Sequence, residues 1–113
     1  MVEPRRKSLD KLKDTIRAKT RRSNGQSLQA IITDLNRSLR SWFEYFKHSH
    51  RFTFAISDKW VRMRLRSLLR RRQGRRGREQ GSNHLRWPNA FFARQGLFSF
   101  VEAHALACQP FRR

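Results

Sequence analysis

Most of the residues here that could do chemistry are cations. Between Lys59 and Arg78, ten of twenty positions are basic, nine of those ten are Arg, and none is acidic. A guanidinium is a rigid two-pronged donor that matches the oxygens of a phosphate. Lys59, Arg62, Arg66 and Arg70 recur at the spacing of one helix face, with Arg64 and Arg71 flanking the apolar positions. A helix of about 16 residues is roughly 24 Å long, so cations along one face can follow a phosphate backbone over several nucleotides. An ordinary charge run is a solvated surface. Here no acid balances the run, and like charges at i, i+3 and i+4 repel, so a polyanion is the expected partner. Trp60 lies off the apolar stripe and is a candidate for stacking on a base, with packing at the edge of the core as the alternative.

Other chemistries find little support. Asp10 and Asp14 share the solvated face of a short helix and balance neighbouring lysines. His48 and His50 have no carboxylate or thiolate nearby in sequence. Cys108 has no evident base partner, a single cysteine forbids an internal disulfide, and no CxxC pair offers a zinc site. No glycine-rich loop has P-loop spacing. The expectation is a binding protein that is not an enzyme, with no metal and no cofactor.

The 113 residues are sufficient for one small domain. Lys and Arg number 27 against 8 Asp and Glu, a net charge of +19 that opposes compaction unless a polyanion neutralises it. Nucleic acid and an anionic membrane surface both qualify. Hydrophobic content of 37% with this charge points toward disorder, yet nine Phe, three Trp and one Tyr argue for a core. No apolar run is long enough to span a membrane, and the basic N-terminus has no apolar stretch behind it, so an intracellular location is expected. A membrane-active helix is disfavoured because the apolar face of the basic helix lacks Trp and Phe. Reading DNA sequence would call for Asn, Gln or Ser among the cations, and Ser67 is nearly alone there. Backbone recognition of RNA, through phosphate and 2′-hydroxyl contacts, fits better.

The elements that must position these cations are helices. After a basic lead-in over 1–7, Ser8 is expected to cap a first helix to about residue 20, with Leu9, Leu12 and Ile16 as its stripe. Asn24-Gly25 then marks a turn. A second helix, capped by Ser27 and running to about 47, carries Leu28, Ile31, Ile32, Leu35, Leu39, Trp42, Phe43 and Phe46 within roughly ±60° of one direction, with Arg37 and Arg40 opposite. Residues 48–56 read as a connection. Ser57 is expected to cap a third helix, with Val61, Leu65, Leu68 and Leu69 inward. Residues 73–86 contain three Gly and four Arg and read as a flexible basic loop. In the segment 87–113, Asn89 or Pro88 starts a short helix that Gly96 interrupts, and 97–107 suits helix or extended chain equally. The fold class is all-α: three helices over 8–72, the second packed on the third, plus a short C-terminal helical segment.

Two helical blocks carry a resemblance. Leu35-Asn36-Arg37-Ser38-Leu39-Arg40-Ser41-Trp42-Phe43-Glu44-Tyr45-Phe46 is similar to the "LNxxLRGWxxYF" helix, and Asp58-Lys59-Trp60-Val61-Arg62-Met63-Arg64-Leu65-Arg66 to the "DxWVRxRLR" helix, of group II intron-encoded reverse transcriptase/maturases. From about residue 5 to 109 the chain resembles the C-terminal part of the bacterial proteins, the maturase-specific region also called domain X or the thumb. The tail, Arg86 to Phe92 and Gln95 to Ser99, looks like the ending of one bacterial branch. Ser41 replaces the family's Gly, and the Tyr-x-Asp-Asp motif of the polymerase portion does not occur.

The resemblance implies a thumb-like helical bundle that grips intron RNA and the template–primer duplex and assists splicing in a bacterial cytoplasm. It places RNA contacts at Lys59, Arg62, Arg64 and Arg66, with Arg37 and Arg40 second. It does not carry over polymerase activity. The chain is expected to be a fragment of such a protein, either working on RNA, docking on a separately encoded fingers-palm portion, or a remnant without function. Docking would leave an apolar patch uncovered on the first helix or at Phe91, Phe92 and Phe98.

Overall fold

The computed structural model describes residues 6–21, 23–47, 54–73 and 85–108. Among the described residues there are five helices and no strand: α1 Arg6–Lys19, α2 Leu28–Phe46, α3 Phe54–Arg72, α4 Asn89–Arg94 and α5 Phe100–Cys108. The expected all-α class is what the chain adopts. Most of the basic loop, residues 74–84, and the pair His48 and His50 lie outside the described residues.

Helix α2 follows its stripe. Ile31, Ile32, Leu35, Leu39, Phe43 and Phe46 are buried, and the Ser27 hydroxyl accepts from the Ala30 amide at 3.1 Å as the expected N-cap. Trp42 is only half-buried, stacked on Phe46 with ring centroids 5.3 Å apart. Helix α1 buries Leu12 and Ile16. It begins at Arg6, so Ser8 sits inside the helix instead of capping it. The turn after α1 is built by Asn24, whose side chain donates to the Lys19 carbonyl (3.0 Å) and accepts from the Gln26 amide (2.9 Å).

Helix α3 starts three residues before Ser57, which therefore caps nothing there. Phe54 pulls the start forward, because its ring packs against Phe43 (5.9 Å) and Phe100 (5.7 Å). The neighbouring Asp58 serves a different helix. Its buried carboxylate accepts from Ser99 Oγ (2.8 Å) and from the amides of Phe100 (2.9 Å) and Val101 (3.0 Å), the N-terminus of α5. Ser99 Oγ in turn accepts from the Glu102 amide at 3.2 Å. The first amides of α5 are thereby satisfied from α3. The segment 97–107, undecided from sequence, is helical from Phe100 onward for this reason.

The closest backbone packing is of α1 on α2, and of α5 on α3 and on α2. Helices α2 and α3 share a core, with Leu35, Leu39, Phe43 and Phe46 in one cluster with Val61, Leu65 and Leu68, and Phe43 meets Phe54 at 5.9 Å between ring centres. Trp87, Phe92 and Phe100 belong to one core with Leu12, Ile31, Leu35 and Leu65, so the C-terminal aromatic segment is built into the bundle. Phe92 is buried, whereas Phe91 and Phe98 on the C-terminal segment and Leu9 on α1 are half-buried.

Two backbone devices aim the segment after α4. Gly96 takes φ +89°, and the amides of Gly96 and Leu97 bond back to the carbonyls of Ala93 (3.0 Å) and Phe92 (3.1 Å), a Schellman ending that needs the left-handed residue. Asn36 of α2 then clamps the chain. It donates to the Gly96 carbonyl (2.8 Å) and accepts from the Phe98 amide (2.7 Å). Asn36→Ala leaves both backbone groups without a partner in a part-buried place, and is expected to cost about 1–3 kcal/mol, read by urea unfolding. A loss below about 0.5 kcal/mol would mean that solvent satisfies them equally well.

Candidate nucleic-acid interface

The cations singled out from sequence do not form one open face. Lys59 and Arg71 on α3, and Arg37 and Arg40 on α2, are exposed. Arg66 and Arg70 are buried, at 3% and 7% exposure. Arg66 is covered by the returning C-terminal segment: its Nε donates to the Trp87 carbonyl (2.7 Å), its guanidinium to Asn89 Oδ1 (2.8 Å), and it lies 5.3 Å from the Phe92 ring centre. Burial, and then the charge of Arg62, hold the Arg66 guanidinium below its ordinary value. The expectation that Lys59, Arg62, Arg66 and Arg70 all line a solvent-facing side is therefore corrected at Arg66 and Arg70. The periodicity was sound, but a segment distant in sequence packs over Arg66. Arg62 is half-buried in a cleft beside the same segment.

What the structure does assemble is a cluster around Trp60. The indole is half-buried, and three cations surround it: Arg17 at 5.3 Å, Lys13 at 5.8 Å and Arg64 at 5.9 Å from the ring centre. Lys13 and Arg17 come from α1, Arg64 from α3. Arg64 is held by bonds from Nε to Thr20 Oγ1 (3.1 Å) and from its guanidinium to the Arg17 carbonyl (3.5 Å). Thr20 in turn donates to the Ile16 carbonyl at 2.7 Å. Arg17 has an exposed ion pair with Asp14 at 3.1 Å, which is worth little in solvent. Lys59 adds an exposed cation beside Trp60 in sequence.

Sequence reasoning missed Lys13 and Arg17. They lie at i and i+4 on α1, a visible pairing, but Asp10 and Asp14 among them read as local balance. Trp60 joins the two helices through cation–π contacts, each worth about 0.5–2 kcal/mol depending on exposure. On α2, Arg40 lies over the Phe98 ring at 5.6 Å, and Arg37 is 4.0 Å from Asp34. Positive charge is therefore presented from three helices, and little acidic charge is set against it. Among the described residues, no group of three or more His, Cys, Asp and Glu is placed to hold a metal ion, and no helix is long and apolar enough to cross a membrane.

Residues 9–87 match the family "group II intron, maturase-specific domain". The matched span contains both helical blocks quoted above and ends at Trp87. No curated protein matches the chain.

Proposed function

Because the chain belongs to the group II intron maturase-specific domain family, we propose that it holds group II intron RNA by the phosphate backbone and that its part in splicing is binding, with no bond-making step of its own. The observation that carries this reading is the convergence of Lys13, Arg17 and Arg64 on Trp60. Like charges drawn to one ring repel one another, and a phosphate lying across them relieves the repulsion. The exposed Lys59, Arg71, Arg37 and Arg40 extend the positive surface. Arg66 and Arg70 contribute field from beneath it without reaching solvent. Backbone contacts of this kind suit intron RNA and equally the duplex of a template and primer.

The test is salt dependence. Lys13→Gln, Arg17→Gln and Lys59→Gln combined remove three exposed cations and are expected to cost about 1–2 kcal/mol of stability, from two exposed cation–π contacts at Trp60, so binding is read on the folded variant. They should lower the slope of log K against log salt for intron RNA by about 2–3 units, from roughly 0.7–0.9 per lost phosphate contact. An unchanged slope would remove these residues from the interface.

A further inference from the structure

Arg62 lies two positions beyond Trp60, roughly 200° around α3, and takes part in a second feature. A cleft of about 440 Å3 opens between α3, α4 and α5, with Arg62, Asn89, Leu97, Phe98 and Glu102 among its lining. Volumes of about 300–1,000 Å3 are those of small-ligand sites. Phe92, Leu97 and Phe98 supply an apolar floor beside polar lining at Arg62, Asn89, Ser99 and Glu102, and Arg40 and Arg66 lie against the rings of Phe98 and Phe92.

Arg62 itself is unusual. Its Nε is buried and has no hydrogen-bond partner among the described residues, a costly state for a charged donor. Neither acid lining the cleft relieves it. Both oxygens of Asp58 are engaged by Ser99 and the amides of α5, and the exposed Glu102 forms no ion pair among the described residues. The cleft thus offers a guanidinium with a buried, unbonded Nε beside the half-buried side chains of Leu97 and Phe98.

Resting on the RNA-binding reading above, we infer that this cleft takes one unpaired nucleotide of the bound RNA, with its base on the floor at Leu97 and Phe98 and its phosphate on Arg62. A base within a duplex stays in its stack and cannot enter, whereas unpaired bases splay out and are held by aromatic side chains and Arg planes. Glu102 at the rim offers an acceptor for base N–H groups.

The experiment uses the whole chain with labelled single-stranded oligouridylate and oligoadenylate of about eight nucleotides, and an RNA duplex of matched charge. Ala93→Phe fills the cleft from α4 without changing any charge, and Arg62→Gln removes the anion contact. Each is expected to weaken single-strand binding about tenfold, the scale of one base–aromatic contact. Duplex binding should stay within about twofold, since at most one charge is lost. Arg62→Lys should recover part of the loss. If Ala93→Phe loses helical circular dichroism, Ala90→Leu, from the same wall, makes the same test. The cleft assignment is overturned if the filled variant binds single strands like the parent, or if single strands and duplex weaken together. If the parent binds neither RNA, the RNA-binding reading itself fails, a result distinct from loss of the cleft alone.

Discussion

Replacing Phe100 with Ala is expected to remove about 3–5 kcal/mol of folding free energy, the cost of truncating a buried aromatic side chain. Phe100 is fully buried, and its ring meets Phe43 of α2 at 6.3 Å, Phe54 of α3 at 5.7 Å and Phe98 at 5.7 Å. No single helix holds it; it sits where three elements meet, so the site cannot collapse around the space left behind. For a domain of this size total stability is about 5–15 kcal/mol, and the net charge of +19 works against it. The variant should be partly unfolded at ambient temperature in low salt. Val101→Ala, one position on and exposed, is the matched control and should change stability by less than about 0.5 kcal/mol. If Phe100→Ala unfolded in urea like its parent, α5 would not be part of the core.

Asp58→Ala is expected to cost about 2–4 kcal/mol, by a different mechanism. The substitution leaves two amides and a hydroxyl at the start of α5 without their acceptor, and each unmet group in a buried place is worth about 1–3 kcal/mol, less whatever water recovers. It also withdraws a negative charge from the helix N-terminus. Asp58→Asn keeps one acceptor oxygen and the shape, and should cost about half as much. Hydrogen exchange distinguishes a cap from a general loss of packing. Amides 100–103 should lose protection first in Asp58→Ala, while those of α2 keep theirs. Uniform loss along the chain would show that Asp58 acts through the whole core and not through α5. The conspicuous Asp of the "DxWVRxRLR" helix thus has a structural task, namely to anchor the segment that folds back over α3.

That segment also explains what could and could not be read from the sequence. Helix α2 was legible because eight apolar residues keep a 3.6-residue period and Ser27 supplies a cap. The third helix was legible in its body and not in its start. Ser57-Asp58 has the look of a cap, but Phe54 had a core to enter and Asp58 had α5 to bind. The segment after Gly96 has no period to separate helix from strand, and its conformation is settled by a carboxylate more than forty residues earlier. The basic spacing on α3 does not translate into one open surface, because Arg66 and Arg70 are buried and Arg66 is matched by Trp87 and Asn89 across a loop that the pattern could not close. Aromatics at Trp87, Phe91 and Phe92 were the available sign that the tail enters the core. The cluster at Trp60 stayed hidden because its cations come from two helices, and one-dimensional spacing cannot show that α1 and α3 meet.

The central claim is that these cations hold group II intron RNA in particular. The most direct measurement is binding of the purified chain to a structured group II intron RNA, a length-matched unrelated RNA and duplex DNA, from about 50 to about 300 mM salt. All three should bind at the low end, where phosphate contacts dominate. The expected result is a preference for the intron RNA that persists as salt rises. Equal affinity for all three, collapsing together across the same range, would contradict the claim and leave a polycation whose charge alone accounts for what it binds.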